Sequence, residues 1–332
     1  LGTEHTELYV TDADARHVIP YLPDIYDEPF ADVSQIPTIL VSQLARSQVT
    51  VALSGDGGDE LFAGYSRYIF VSSFWRKLQR LPLGLRRMAA ACLRYPSVAQ
   101  WDAFFKAASP FLPQSLLPNM PGQKMHKIGA ILPAGSLLTL HSGLVTQWAT
   151  PQVALSPEWR GGKALWQDLL HEDPALTPPM QQAVWDAQTY MVDDILTKVD
   201  RASMRFGLEA RVPLLDHTVV ETAWRIPDTM KLRDGQGKWL LKQLLYRHIP
   251  QSLVDRPKMG FGVPIHAWLR DGVRDWAEPY LDETRLRSEG YLDANVIRQT
   301  WSQHQKGGIE SGGPLWTVLM FQQWLERCKG WL

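Results

Sequence analysis

Cysteine is scarce. The chain has two in 332 residues, Cys92 and Cys328, far apart and outside any C-x-x-C spacing, which argues against a disulfide framework and a thiolate zinc site. A reducing, cytoplasmic setting is the expectation. Long apolar runs are also absent: no stretch reaches the about 18 unbroken apolar residues of a membrane span, so no membrane is expected. Charge of neither sign is in excess, with 34 Lys plus Arg against 35 Asp plus Glu, so the field of the whole molecule gives no reason to expect nucleic acid as a partner. The opening LGTEHTELYVTDADARHVIP lacks the basic start and apolar core of a signal peptide. It begins at Leu1 rather than Met, and the chain reads as a piece of a longer polypeptide. No internal repeat or low-complexity tract is present.

What is present is a chain of about two domains' length with ordinary globular composition, 45% apolar and 21% charged, which excludes disorder and a simple coiled coil. QVTVALSGDGGDELFAGY, Gln48 to Tyr65, runs from a β-branched strand through a glycine-rich turn into a helix start. Ile36, Ile39, Leu40 and Leu44 upstream recur at helical spacing, so helix, strand and helix predict an α/β layer over residues 1–70. Only one strand is legible. Residues 71–180 read as a helical insertion broken repeatedly by proline, and 181–332 as a helical carboxyl-terminal part. From Leu61 to Trp101 there is no acid, while Arg67, Arg76, Lys77, Arg80, Arg86, Arg87 and Arg94 are basic. Two readings fit, a solvated helical face and a face for phosphate or a membrane surface. Val184, Ala187, Met191, Ile195, Leu196 and Val199 predict one apolar helical stripe, with Asp194, Lys198 and Arg201 on another face. Lys238–His248 and Gly313–Lys329 predict two further apolar-faced helices.

Several motifs fail. Asp12-Ala13-Asp14-Ala15-Arg16 puts Arg where a calcium loop needs an oxygen ligand. Pro174 after His171-Glu172 rules out a zincin helix, and neither Gly162-Lys163 nor Gly237-Lys238 carries the Ser or Thr of a Walker loop. Ser54 lacks the glycine two residues earlier that a nucleophile elbow uses. What survives is Ser54-Gly55-Asp56-Gly57-Gly58-Asp59-Glu60 at the carboxyl end of the strand, where ligands bind in α/β sheets. Glycines, a helix N-terminus and a hydroxyl suit an anion, yet three carboxylates sit among them. The contradiction resolves if Asp56 or Asp59 holds magnesium that bridges to phosphate. The competing reading is an acidic turn capping a helix. In Arg256-Pro257-Lys258-Met259-Gly260-Phe261-Gly262-Val263-Pro264, two prolines and two flanking glycines present one lysine, either as a point charge for phosphate or as an exposed loop residue. Glu209, Arg211 and Asp216, interleaved with apolar residues, predict a buried ion-pair network or a substrate contact.

LSGDGGDELFAGYSRY, DDILTKVDRASMRFGLEARVPLLDH, GKWLLKQLL and RPKMGFGVP, in this order, resemble the synthetase domain of the glutamine-hydrolysing asparagine synthetase family. The resemblance implies the adenine nucleotide alpha hydrolase-like fold (PP-loop ATPase), here an α/β remnant truncated at its amino end with a mostly α-helical carboxyl-terminal part. It implies adenylation of the aspartate side-chain carboxylate by ATP with Mg2+, then displacement of AMP by glutamine-derived ammonia; the sequence leaves the oligomeric state open, a homodimer being one option. Ser54 and Gly55 fall at ATP-binding positions. Asp56 falls at the acidic position tied to the aspartyl-AMP intermediate, Asp59 at a magnesium and pyrophosphate position, and Lys258 at the lysine that stabilises developing charge. Asp194, Lys198, Arg201, Glu209 and Arg211 match a motif without individual roles. Ala63 stands where many relatives have glycine. The S-G-G-x-D-S loop and the glutaminase domain of the family are missing from these residues, so the chain alone is expected to fold without making amide. Asp56, Asp59 and Lys258 are expected to share one cleft. Alternatives are a related synthetase acting on another carboxylate, as in beta-lactam or surface-sugar amidation, and a non-catalytic helical module.

Overall fold

The computed structural model describes residues 2–111, 120–162, 170–255, 262–307 and 309–329. The chain divides into two units, one from residues 1–64, 184–285 and 312–332, the other from residues 65–183 and 286–311. The labelled helices, in chain order, are α1 (Gln35–Arg46), α2 (Gly58–Leu61), α3 (Ser66–Leu78), α4 (Leu83–Arg94), α5 (Val98–Ala108), α6 (Pro121–Ile131), α7 (Thr197–Met204), α8 (Trp239–Leu245) and α9 (Gly312–Cys328). The two strands are β1 (Val51–Leu53) and β2 (Glu209–Arg211).

In the first unit, α7 packs on α1 and leads into β2. Its core gathers Ile36 and Ile39 of α1 with Leu315, Trp316 and Leu319 of α9, all buried. α1 begins one residue before the apolar spacing predicts, with proline in its first turn, where no intrahelical donor is lost. β1 and β2 pair in parallel, Val51 opposite Glu209 and Leu53 opposite Arg211. The ladder is extended by the Glu209 N–H donating to Thr50 O at 3.0 Å and the Ser54 N–H to Arg211 O at 2.8 Å. Because alternate residues of a parallel strand bond to opposite sides, Val51 and Leu53 turn their backbone groups away from β2. No strand among the described residues pairs there.

The predicted stripe from Val184 to Val199 is corrected. An α-helix ends at Gln188, a π-helical turn spans Tyr190–Leu196, and α7 follows. The wider π turn shifts later side chains around the axis, and of the six stripe residues Ile195 is buried while the other five are half-buried. From the other face, Lys198 is also buried, beside Asp32, while Asp194 and Arg201 are half-buried.

In the second unit, α6 packs against α4 and α5. Of the seven basic residues between Leu61 and Trp101, Arg76, Lys77, Arg80, Arg87 and Arg94 are exposed, as a solvated face requires. Arg86 is buried and donates to Ala134 O at 2.7 Å, and Arg67 lies over the Tyr65 ring at 3.9 Å. No described helix is long and apolar enough to cross a membrane. Cys92 and Cys328 are both free thiols.

Candidate functional site

The turn from Ser54 to Asp59 leaves the carboxyl end of β1 and enters α2. Gly57 has φ 77°, a left-handed conformation, and a Cβ there would lie 2.3 Å from Leu215 Cδ2, so glycine is required on both counts. A Cβ on Gly58 would meet Leu214 Cδ1 at 2.9 Å. Gly55 differs: a Cβ there would meet nothing within 4 Å, which leaves open space over the turn for a ligand. Ser54 and Asp56 lock each other. The Ser54 hydroxyl donates to Asp56 Oδ2, and the Asp56 N–H donates weakly to Ser54 Oγ at 3.4 Å. Glu60 is buried at 1% exposure, so the half-open carboxylates of the turn are Asp56 and Asp59 rather than three.

The cation facing them is one that the sequence reading passed over. Lys238 Nζ lies 3.1 Å from Asp59 Oδ1, both side chains partly open. Lys238 stands at the N-cap of α8 with φ 56°, and its backbone N–H donates to Phe62 O at 2.8 Å. Leu61 and Phe62 pack with Ala223, Leu215, Val220, Ile226 and Leu241, and Leu241 belongs to α8, so one apolar cluster holds turn and lysine in register. α2 is a single turn of four residues, too short for a substantial macrodipole. The positive charge expected from a helix N-terminus is carried by Lys238 instead. The signal for it was the unabsorbed Gly237-Lys238 pair opening the GKWLLKQLL motif.

A second charged group lies at α7. Lys198 Nζ is 2.5 Å from Asp32 Oδ2 and 3.6 Å from Asp194 Oδ1, and Arg201 is 3.5 Å from Glu28. Burial and the neighbouring Asp32 charge push the Asp194 carboxyl up to about 7. Burial acts on Asp32 in the same direction, but the Lys198 ammonium and the Ser34 donors outweigh it and hold Asp32 low. Burial raises the Tyr26 phenol well above its ordinary value; its hydroxyl donates to Lys198 O at 3.4 Å. The predicted buried network of Glu209, Arg211 and Asp216 is corrected. Glu209 and Arg211 pair at 2.7 Å on the surface, because both point from the exposed face of β2, and exposed Asp216 caps the following helix through the Thr218 N–H.

Ser54, Gly55, Asp56 and Asp59 therefore share one turn. Lys258, with the rest of 256–261, lies outside the described residues. Just before them, Asp255 accepts from Lys242 Nζ at 3.0 Å, the Tyr246 hydroxyl at 2.8 Å and Gln251 Nε2 at 2.7 Å, donors that hold its carboxyl down to about 2. Among the described residues no cluster of three or more His, Cys, Asp or Glu forms a metal cage. The turn suits a different arrangement, a hard cation held by one or two carboxylates and completed by phosphate oxygens, with Asp59 available on exchange of its Lys238 partner.

The chain matches the asparagine synthase family over residues 1–326 and belongs to that family. It is 27% identical to asparagine synthetase [glutamine-hydrolyzing] 1 of Bacillus subtilis, over 98% of this chain and 48% of the relative. It is 30% identical to a putative asparagine synthetase [glutamine-hydrolyzing] of Mycobacterium bovis, over 98% of this chain and 46% of the relative. A shorter match to a putative asparagine synthetase of Methanocaldococcus jannaschii reaches 46% identity over 80 residues. The chain spans about half the length of the curated relatives it matches over most of its own length.

Proposed function

We propose that this chain is the ATP-dependent, amide-forming part of an asparagine synthetase-type ligase, working with a glutaminase domain outside these residues. The observation that carries the reading is the Ser54–Asp59 turn, open above Gly55 at the carboxyl end of a parallel strand pair and faced by Lys238. That place in an α/β sheet is where nucleotides bind, and the family membership supports ATP as the nucleotide. The PP-loop ATPase fold agrees with a parallel pair ending in such a turn.

In the reaction, an oxygen of the aspartate side chain attacks the α-phosphorus of ATP, the bond to the β-phosphate breaks, and pyrophosphate leaves. Ammonia from glutamine then attacks the acyl carbon, AMP departs with the bonding electrons, and a proton is lost from nitrogen. Ser54, whose hydroxyl proton is held by Asp56, lines the ATP site beside Gly55, which lets the nucleotide approach the backbone. Asp56, fixed by Ser54, is placed to orient the reacting groups, and Asp59 would hold Mg2+, which supplies charge neutralisation on the phosphates. Lys258 is assigned to the negative charge that develops at the α-phosphate. The two separated free thiols agree with a reducing cytoplasm.

The test is pyrophosphate release by the full-length gene product supplied with ATP, Mg2+, aspartate and glutamine. Lys258→Ala and Asp56→Asn are each expected to lower it on the order of 100-fold or more, as loss of a transition-state electrostatic group does, while glutamine hydrolysis persists. Release at near wild-type rate in both variants refutes the assignment. Release that requires a carboxylate other than aspartate moves the protein to a related synthetase.

A further inference from the structure

We infer that α4 is an interfacial helix that docks this protein on an anionic lipid surface. Leu85, Met88, Cys92 and Tyr95, the last with helical backbone at the C-cap, recur at intervals of three and four residues, so they share one face of the helix. That face is the solvated one. Leu85 is 50% exposed, Met88 61% and Tyr95 91%; Cys92 is exposed with them, and Leu81 just ahead of the helix is exposed too. The opposite side, with Arg86 and Ala90, is the buried one. A surface helix ordinarily turns its apolar stripe to the core and its polar stripe to water, whereas α4 does the reverse, and large apolar side chains grouped in water mark an interaction surface. None of the residues concerned belongs to the Ser54–Asp59 site.

Charge decides what that surface meets. The chain is close to neutral as a whole, but its charges are segregated: between Tyr65 and Pro157 stand ten Lys plus Arg and a single acid, leaving 24 Lys plus Arg against 34 acids elsewhere. Eight of the ten cations are exposed, and none of the eight forms an ion pair among the described residues. The one acid, Asp102, is spent internally and accepts from the Gly122 N–H at 2.9 Å. Arg87 and Arg94 flank the apolar stripe and, with Tyr95, line a cavity of about 450 Å³, so an anionic oxygen entering there meets two guanidiniums. Arg76, Lys77 and Arg80 bring three more charges just before the helix, and α6, packed against α4, adds Lys124 and Lys127 and no acid. An apolar stripe flanked by cations is the pattern of a helix lying in the headgroup plane, where the apolar face sinks toward acyl chains and Lys and Arg meet phosphates. Tyrosine suits that boundary. No described helix crosses a bilayer, and such docking requires none. A second copy is the poorer occupant, because a symmetric contact through this face would set cations against cations.

The test is co-sedimentation of the full-length gene product with lipid vesicles, one set of phosphatidylcholine alone and one with about 30% phosphatidylglycerol. Wild type is expected to bind the anionic vesicles at least about 10-fold more tightly than the neutral ones, and to lose most of that difference at about 0.5 M salt, where charges are screened. Arg87→Gln combined with Arg94→Gln is expected to weaken anionic binding about 10- to 30-fold. Leu85→Ser combined with Met88→Ser, which removes apolar area, is expected to weaken it about 50-fold or more. All four side chains are exposed, so both double variants are expected to melt with the wild type. Hydrogen exchange along Leu83–Arg94 is expected to slow when anionic vesicles are added. Equal binding to the two lipid compositions overturns the inference, as does binding that survives the loss of Leu85 and Met88. Absence of vesicle binding also overturns it, and slow exchange of the α4 amides without lipid would then assign the face to a protein contact.

Discussion

Ala63 and Lys238 both hold left-handed backbones, φ 54° and 56°, and they meet across Gly237. For Ala63, fully buried, the left-handed strain of about 1–2 kcal/mol competes with the about 0.5–1 kcal/mol that glycine costs in chain entropy. Loss of a buried methyl adds a similar sum. Ala63→Gly is therefore expected to change stability by less than about 1 kcal/mol in urea unfolding. Gly237→Ala is a different case. Its Cβ would press on a backbone oxygen at 2.1 Å, which cannot swing aside as a side-chain end can. The expected cost is about 2 kcal/mol or more. Unfolding at the wild-type urea midpoint would show that the loop absorbs the contact. The glycines of the turn were legible in the sequence because glycine spacing is a local signal. Lys238 was not, because its meaning depends on a residue 179 positions away in the chain, Asp59.

At the level of elements, the π turn Tyr190–Leu196 brings Asp194 over Lys198 while Asp32 approaches from the loop before α1. Asp194 carries the larger pH consequence. Its carboxyl is raised in the folded state to about 7, against an unfolded value near 4, so between those values the folded chain binds the extra proton. Stability then falls as pH rises from about 4 to 7. Asp32, held low, has the opposite sign, but its contribution is lost only as pH falls below the ordinary carboxylate range, outside this window. Between pH 5 and 8 the wild type is expected to lose on the order of 2 kcal/mol, read by urea unfolding. Asp194→Asn is expected to flatten that dependence and to be the more stable protein at pH 8. An equal slope in the two proteins would place the titrating group elsewhere. Helical periodicity predicted helices where α1, α8 and α9 form, though α8 leaves Leu244 and Leu245 exposed and α9 is buried on more than one face. It misread the segment around Asp194 because 3.6-residue spacing cannot anticipate a turn with a different period.

For the whole molecule, the sheet is its least complete part. β1 is paired on one side, its other edge meets no strand among the described residues, and Leu53 is 74% exposed. Parallel strands are ordinarily covered on both faces, and an open apolar edge pairs with other chains. The 332-residue chain is expected to self-associate at tens of micromolar, seen in sedimentation velocity. Leu53→Lys is expected to reduce this while changing unfolding stability by less than about 0.5 kcal/mol. A wild-type chain that sediments as a monomer would show the edge to be covered.

The sequence by itself determined the class of the chain, the strand and glycine turn from Val51 to Asp59, and the long helices. Each of these is written in neighbouring residues, through β-branching, glycine or apolar spacing. Tertiary structure alone decided that Glu209–Arg211 is the strand beside β1, that Lys238 is the cation of the turn, and that Lys198 rather than Arg211 sits in the buried ion-pair group. These depend on contacts between residues far apart in the chain. Charge pairing and strand pairing are set by distance in space and by the surrounding burial, and neither quantity is recorded in local sequence.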